Sequence, residues 1–329
     1  MRKQVKWGII GPGSIAREFT EDLKFIKDED HFVKAIVGHG KETTEKYLAE
    51  NKVDLVYYHL EDLINSHEID CVYIATPHPQ HYDTCLRLLE SKIPVLCEKP
   101  LAISERQVRE IIKKSKETQT FFMEGMWVRC LPSILKVLEI IESGKIGEIH
   151  SLSGKLTYKA PFDIKNRYFN PELGGGSLLD LGVYPAYLSY LILGKPESIK
   201  ASSKNINGVD ASTAAILTHK SGAISVIESS FVSRGTNEAI IYGDKGSIHI
   251  AEPWNEKPLA ITVQIYYGQK EVIIPEWEGK GLYFEVQEMM KCINGKKIES
   301  TLLTHQGSLE LIQILDEIRN QTNVKYPNE

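Results

Sequence analysis

The sequence has 329 residues, of which 42% are hydrophobic and 25% charged, and its formal net charge is -5. These values are typical of a soluble globular protein with room for two domains. The weak negative charge argues against nucleic acid or an anionic membrane as a partner. There is no apolar run of about 18 residues, so we predict no membrane span. An apolar strand begins almost at once, which leaves no room for a signal peptide.

The five cysteines are scattered along the chain and include no C-x-x-C pair. Such scattering is typical of buried thiols rather than a disulfide framework, so we expect a reduced, cytoplasmic protein. No grouping of histidine, cysteine and carboxylate has the spacing of a metal site, and we predict no metal.

An apolar strand over 5–10 is followed by a glycine turn and a helix, Gly11-Pro12-Gly13-Ser14-Ile15-Ala16. Gly11 would let the chain turn tightly, and Gly13, without a Cβ, would let backbone approach a pyrophosphate. The N–H groups of the helix start, at Ser14 and Ile15, would face the phosphates. We therefore predict dinucleotide binding. An ordinary glycine turn is the alternative, because Ala16 stands where a third glycine often lies.

Strands and helices alternate over residues 1–124. We predict further strands over 32–37, 55–58, 71–75, 95–97 and 121–123, with helices over 43–51, 60–65 and 80–90 between them. Repeated βα units imply a doubly wound parallel sheet, whose ligands bind beyond the carboxyl ends of the strands. The sequence thus predicts an α/β fold with an N-terminal Rossmann domain.

Residues 125–329 have a different pattern. Helices are predicted over 133–142, 178–193, 283–293 and 307–320, and strands over 210–219, 223–233, 236–242, 247–252, 261–266 and 271–274. Short joints such as Gly243-Asp244-Lys245-Gly246 connect neighbouring strands, which is typical of an antiparallel sheet. We predict a C-terminal α+β domain for substrate binding and oligomerisation.

The end of the second strand indicates which cofactor binds. A NAD site usually has a carboxylate there, but this strand is followed by Gly38-His39-Gly40-Lys41. His39 and Lys41 would attract a 2′-phosphate, so we predict NADP, with NAD possible. The alternative is that both residues decorate an exposed loop.

Two turns at the predicted ligand edge carry polar groups. Thr76-Pro77-His78-Pro79-Gln80-His81 follows the fourth strand, and Glu98-Lys99-Pro100 closes the fifth. We expect Thr76, Pro77 and His81 to hold the nicotinamide half of the cofactor together with Glu98 and Lys99. The alternative for Lys99 is a solvated charge at a strand end.

These motifs resemble the glucose–fructose oxidoreductase, inositol dehydrogenase and MocA (Gfo/Idh/MocA) family over essentially the whole chain. The segments 123–129 (Met-Glu-Gly-Met-Trp-Val-Arg) and 174–185 (Gly-Gly-Gly-Ser-Leu-Leu-Asp-Leu-Gly-Val-Tyr-Pro) resemble its branch of dimeric dihydrodiol dehydrogenases and NADP-dependent xylose dehydrogenases. The resemblance implies that Lys99 is catalytic and that Tyr184 works with it. It also implies a homodimer formed through the C-terminal sheet.

Asp180 and Tyr184 lie four residues apart on a predicted helix and share a face. We hypothesise that Tyr184 exchanges the hydroxyl proton of the substrate, that Lys99 stabilises the developing charge, and that Asp180 assists. Two structural alternatives remain open: Ser177-x-x-Asp180 fits a capping box, and Tyr184 would serve equally as a core tyrosine.

Trp127, Arg129 and Arg167 are predicted substrate contacts. Trp127 would form an aromatic wall against a sugar ring or be part of the core. Arg129 would grip substrate or cofactor, or form an ion pair. The sequence predicts an NAD(P)-dependent oxidoreductase acting on a small polar hydroxyl or carbonyl compound, namely a sugar, polyol or trans-dihydrodiol. A cofactor-binding sensor of the same fold is the alternative.

Overall fold

The computed structural model describes residues 3–327 and 329. The chain forms two compact units, each assembled from separate stretches of sequence. The first unit contains the residues up to Ala102, then Arg106–Trp127 and Trp277–Ser308. The second contains Ile103–Glu105, Val128–Glu276 and the residues from Leu309 onward.

The first unit is built on a six-stranded parallel sheet with the order β3-β2-β1-β4-β5-β6. Its strands are β1 (Gln4–Ile10), β2 (Asp30–Val37), β3 (Leu55–Tyr57), β4 (Cys71–Ile74), β5 (Val95–Glu98) and β6 (Phe122–Gly125). The helices that join them are α1 (Ser14–Asp22), α2 (Lys41–Glu50), α3 (Leu60–Ser66), α4 (His81–Glu90) and α5 (Glu105–Thr118). The strand order reverses between β1 and β4, which is where such sheets bind ligands.

The central strands of this sheet are apolar because helices cover both faces. Every residue of β4 is buried, and Trp7 of β1 is among the largest fully buried side chains. Phe19 of α1 packs its ring against Tyr73 of β4 with centroids 3.9 Å apart. This contact holds α1, and with it the turn that precedes it, against the middle of the sheet.

The second unit is built on an eight-stranded sheet with the order β14-β13-β12-β11-β7-β10-β9-β8. Its strands are β7 (Ile149–Thr157), β8 (Pro196–Ile206), β9 (Val209–His219), β10 (Ile224–Ser230), β11 (Ala239–Gly243), β12 (Gly246–Ile250), β13 (Ile261–Ile265) and β14 (Lys270–Ile273). Neighbouring strands are antiparallel except β7 and β10, which run parallel. Helices α6 (Pro132–Glu142) and α7 (Val183–Leu193) belong to this unit.

The last two helices are α8 (Leu282–Asn294), in the first unit, and α9 (His305–Thr322), most of which lies in the second. Asp22 at the end of α1 binds the start of α8: its carboxylate accepts hydrogen bonds from the backbone N–H groups of Lys280, Gly281 and Leu282. The chain thus returns to complete the first unit long after β6.

Three elements escaped the sequence prediction: α5, β7 and β8. The residues of β8 are mostly polar, and it is an edge strand, so apolar alternation is not needed there. In β7 only Leu152, Gly154 and the last two residues, Leu156 and Thr157, are buried, which is too weak a pattern to recognise.

One helical stretch among the described residues, Pro171–Leu193, is long and apolar enough to cross a membrane by composition alone. In the structure 67% of its apolar window is buried inside the protein, as in a core helix. Its apolar character is accounted for by packing, since α7 contacts β7 and β10.

Candidate active site

The glycine turn after β1 has the geometry of a phosphate cradle. Gly11 has a φ of +84°, and a Cβ there would lie 2.8 Å from the carbonyl oxygen of Ala75, so the fold requires glycine. A Cβ on Gly13 would meet its nearest atom, the Gly11 carbonyl oxygen, only at 4.0 Å. Within the described part of the chain no side chain caps α1, which begins at Ser14 and continues with the half-buried Ile15. Open space at Gly13 beside uncapped N–H groups fits a dinucleotide pyrophosphate.

The segment after β2 carries positive rather than negative side chains. His39 and Lys41 are both exposed, and the Lys41 ammonium lies 3.8 Å from the carboxylate of Glu45 on the next turn of α2. Such an exposed pair is weak, so it leaves the lysine largely available to another anion. Exposure fits both earlier interpretations, a loop in solvent and a contact for a 2′-phosphate.

His81, the first residue of α4, joins the two turns at the carboxyl edge of the sheet. Its Nδ1 lies 2.9 Å from the carbonyl oxygen of Pro100, and its Nε2 lies 2.8 Å from that of Thr76, the residue before Pro77. Burial lowers the pKa of this imidazole, against the raising effect of the two carbonyls. The ring lies between the carbonyl oxygens of Pro100 and Thr76, so His81 sets the spacing between the two turns.

Lys99 follows β5 at the same edge and is only 8% exposed, so the alternative of a solvated strand-end charge is wrong. The peptide bond from Lys99 to Pro100 is cis. Glu98 precedes it, and its Oε1 accepts a 2.5 Å hydrogen bond from the hydroxyl of Tyr73. Because β1, β4 and β5 are adjacent and parallel, Lys99 lies at the edge that also carries the Gly11 turn.

Two buried acids near this edge were missed by the sequence analysis. Glu124 of β6 accepts a 2.9 Å hydrogen bond from the backbone N–H of Leu101, and burial raises the pKa of its carboxyl. Glu285 of α8 is fully buried, and burial and the nearby Glu98 raise its pKa well above the usual value. A carboxylate inside the apolar run of β6 was a visible signal for Glu124, whereas Glu285 lies on a helix far along the chain.

In the second unit, Asp180 and Tyr184 lie on one continuous helical segment. Residues 178–182 form a π-helical turn that leads directly into α7, which begins at Val183. Arg167 meets Asp180, with its Nη2 3.3 Å from the Oδ2 of the carboxylate, so these two predicted site residues contact each other. Tyr184 is buried.

The capping-box alternative at Ser177 is wrong. The Ser177 side chain makes no cap hydrogen bond; it donates instead to the carboxylate of Asp210 at 2.9 Å. The N–H of Leu178 donates to the same carboxylate oxygen at 2.7 Å. A remote aspartate therefore takes the role that local spacing assigned to Ser177 and Asp180.

Trp127 and Arg129 lie in a short 3-10 turn after β6. Trp127 is buried. The Nε and Nη1 of Arg129 are buried with no hydrogen-bond partner among the described residues. The prediction that Arg129 grips substrate stays a prediction, as does the role of Trp127.

Lys99 belongs to the first unit and Tyr184 to the second, and their meeting beside a cofactor stays a prediction. Across residues 3–327 and 329, no group of three or more histidine, cysteine, aspartate or glutamate side chains is placed to hold a metal ion. All five cysteines are buried and free.

Comparison with known families decides the broader identity. Residues 5–126 match the model of the oxidoreductase family with a NAD-binding Rossmann fold, and residues 134–249 match the model of the GFO/IDH/MocA C-terminal domain. The chain belongs to the Gfo/Idh/MocA oxidoreductase family. The family assignment, the fold class and the nicotinamide-cofactor domain predicted from the sequence are thereby confirmed.

Curated relatives of this Gfo/Idh/MocA protein match over nearly their whole length. The trans-1,2-dihydrobenzene-1,2-diol dehydrogenase of Danio rerio is 28% identical over 99% of this chain and 99% of its own. The D-xylose 1-dehydrogenase (NADP(+)) of Hypocrea jecorina is 28% identical over 98% and 93%. These matches confirm the predicted resemblance to that branch.

Solved structures share the fold at lower identity. An aldose-aldose oxidoreductase from Caulobacter crescentus, complexed with glycerol, has a TM-score of 0.87 and 21% identity over 98% of both chains. A 3-ketoreductase from Actinomadura kijaniata, in complex with NADP and TDP-benzene, has a TM-score of 0.85 and 21% identity over 97% of this chain and 98% of its own. At this identity the likeness concerns the fold.

Proposed function

We propose that this protein is an NADP-dependent dehydrogenase or reductase that acts on a CH–OH group of a sugar, a polyol or a trans-dihydrodiol. The observation that carries the proposal is the buried Lys99 at the carboxyl edge of the sheet, where β5 is separated only by β4 from β1, the strand that leads into the Gly11 turn. Burying an ammonium group costs free energy unless other groups pair with it, so such a lysine at a ligand edge is seldom incidental. The names of the relatives, dihydrodiol and xylose dehydrogenases, support the substrate class.

The chain's own residues handle the proton. In the oxidation direction Tyr184, as the phenolate, takes the hydroxyl proton of the substrate and becomes the phenol, while Lys99 stabilises the negative charge that develops on the substrate oxygen; in the reduction direction the phenol returns that proton. Arg167 pairs with Asp180, 3.3 Å away, and so limits the repulsion between that carboxylate and the Tyr184 phenolate. When bound, the nicotinamide supplies the hydride chemistry.

The preference for NADP rests on the exposed His39 and Lys41 and on the lack of a carboxylate from Gly38 to Lys41. The xylose dehydrogenase relative is named for NADP(+), in agreement with this preference. We infer that Lys41 contributes more than His39, because a lysine ammonium is a common binding group for phosphates.

The experiment follows absorbance at 340 nm with NADP⁺ and a panel containing D-xylose, other aldoses, polyols and trans-1,2-dihydrobenzene-1,2-diol. We expect turnover of at least one compound, and in Tyr184→Phe a kcat lower by about 10²-fold or more with an unchanged KM for NADP⁺. Tyr187→Phe, three residues along α7, is the matched control. Cofactor binding without turnover of any compound would favour the sensor, and a fully active Tyr184→Phe would remove Tyr184 from the mechanism.

We further propose that two copies associate through the eight-stranded sheet. Several exposed apolar side chains lie on one face of this sheet, as the register of the paired strands shows. They are Ile216, Ile224, Val226, Tyr242 and Val272. Ser151, Ser153 and Ser247 stand between these side chains on the same face, so the surface is mixed, as is typical of contacts between proteins. A second copy is the occupant that the family resemblance favours.

A further inference from the structure

The helical segment that carries Asp180 and Tyr184 is anchored at its start by a carboxylate from β9. Asp210 is the second residue of that strand and is fully buried. Its Oδ2 accepts three hydrogen bonds, from the N–H of Leu178 at 2.7 Å, the Ser177 hydroxyl at 2.9 Å and the Thr213 hydroxyl at 2.8 Å. Two of these donors lie at the start of the segment: Ser177 is the residue before it, and Leu178 is its first residue.

This anchor matters because the segment begins with a π-helical turn. Such turns are rare and are frequently found at functional sites. The preceding residue supplies no side-chain cap. A carboxylate at a helix start satisfies an orphan N–H and interacts favourably with the helix dipole, so Asp210 supplies what local sequence does not.

The loop before the segment is shaped around the same carboxylate. Gly176 has a φ of +113°, and a Cβ there would lie 2.4 Å from the Asp210 Oδ1. The hydroxyl of Tyr326 donates a 2.5 Å hydrogen bond to the carbonyl oxygen of Gly175, and the same Cβ on Gly176 would lie 3.0 Å from that hydroxyl. The glycine run therefore lets the chain pass directly over Asp210.

Strand β9 holds the other end of α7 as well. The Nδ1–H of His219, the last residue of the strand, donates to the carbonyl oxygen of Gly194 at 2.9 Å, just after the helix ends. The two ends of one strand thus fix the two ends of one helical segment. Tyr184 lies six residues after Leu178, close to the Asp210 end.

We propose that Asp210 is a positioning residue for the reaction, fixing the first turns of this segment so that Asp180 and the Tyr184 phenol stand in productive positions. The proposal rests on the proposed function of Tyr184. Asp210 contacts neither Asp180 nor Tyr184 directly through the hydrogen bonds described; it acts through the backbone at Leu178. Its role is therefore separable from proton transfer itself.

The test compares Asp210→Ala with Asp210→Asn and with His219→Ala as matched control, all in the full-length protein. Asn keeps a carbonyl oxygen that accepts from Leu178, whereas Ala removes it. His219→Ala loosens the same segment from the same strand at its far end. Steady-state kinetics use NADP⁺ with D-xylose or trans-1,2-dihydrobenzene-1,2-diol, whichever is turned over faster, and amide hydrogen exchange is followed over residues 178–184.

We expect Asp210→Ala to lower kcat per folded molecule about tenfold or more, to leave KM for NADP⁺ unchanged and to speed exchange over 178–184. Asp210→Asn should recover most of kcat, and His219→Ala should keep it. A kcat within twofold of wild type in Asp210→Ala, or an equal loss in His219→Ala, overturns the proposal. If Tyr184→Phe is fully active or neither compound reacts, the proposed function fails by itself, and unchanged exchange over 178–184 would still overturn the role of Asp210.

Discussion

At the scale of single residues, buried carboxylates in this protein differ according to the groups that face them. Asp22 accepts hydrogen bonds from three successive backbone N–H groups, which compensate for its removal from water. Glu285 has both oxygens buried without a hydrogen-bond partner among the described residues, and burial raises its pKa well above the usual value. Backbone donors thus compensate the burial of Asp22, whereas the burial of Glu285 is uncompensated and favours its protonated form.

Asp210 lies between these extremes and should give stability a distinct pH dependence. Burial raises the pKa of its carboxyl from 3.8 to about 6, so the folded protein binds this proton more tightly than the unfolded chain. The resulting stabilisation is complete below about pH 4 and is lost as the pH rises through about 6. We expect the free energy of unfolding of wild type, relative to Asp210→Asn, to fall by about 3 kcal/mol between pH 4 and 8. Urea titrations of both proteins measure it, and a constant difference would contradict it.

The cofactor preference should depend on a single exposed lysine. Replacing Lys41 by alanine removes the full positive charge after β2, so we expect KM for NADP⁺ to rise about tenfold with little change for NAD⁺. Lys52→Ala, an exposed lysine just after α2, changes the net charge equally and serves as control. Equal effects of Lys41→Ala on both cofactors, or a wild-type preference for NAD⁺, would show that the 2′-phosphate lies elsewhere.

Residues with a local signature were predictable from the sequence. Gly11 has a backbone conformation and a neighbour, Ala75, that require glycine, and the Gly-x-Gly spacing after an apolar strand indicated this. Asp210 was not recognised, because its partners lie 32 and 33 residues away along the chain. A carboxylate that opens an otherwise apolar strand is a signal that such partners exist.

At the scale of elements, two helical segments have their first N–H groups bound by aspartates that belong to other elements. Asp210 of β9 binds the start of the segment at Leu178, and Asp22 of α1 binds the start of α8. In both cases the residue before the segment makes no side-chain cap. Helix starts in this protein are therefore fixed by tertiary contacts as well as by local sequence, which explains why a capping box was the wrong interpretation at Ser177.

Removing the carboxylate at the start of α8 should destabilise the protein. Asp22→Ala leaves the N–H groups of Lys280, Gly281 and Leu282 without their acceptor, so we expect the free energy of unfolding to fall by about 2–4 kcal/mol. Chemical denaturation measures this. Asp28→Ala, at an exposed position in the same connection, is the control and should change stability by less than about 0.5 kcal/mol. Equal behaviour of the two variants would contradict the capping role.

Elements with strong apolar patterns were located to within a few residues. The buried strands β1, β4 and β5 were recognised because burial on both faces demands continuous apolar runs. Edge strand β8 was missed because it is exposed to solvent and therefore does not need a continuous apolar run. The parallel pairing of β7 with β10 was also beyond a prediction based on neighbouring strands, since it joins strands that are distant in sequence.

At the scale of the whole molecule, the exposed apolar face of the eight-stranded sheet should govern association. Val226, 46% exposed at the centre of the sheet, lies opposite Ile216. Val226→Asp should place a charge in the proposed contact between copies, so we expect light scattering to give twice the chain mass for wild type and the single chain mass for the variant. Leu259→Asp, at a position 74% exposed outside the strands, should leave the mass unchanged. A monomeric wild type would refute the proposed dimer.

The contact between Asp22 and α8 also bears on how this protein is made. A ribosome releases residues in order, and the three amides that the Asp22 carboxylate binds are about 260 positions later. During synthesis the Asp22 carboxylate therefore stays hydrated until most of the chain has been translated. Only then can the first unit be completed by α8. Shortened products that stop before Trp277 would lack α8, the helix that contacts α1, and we expect proteases to remove them rapidly.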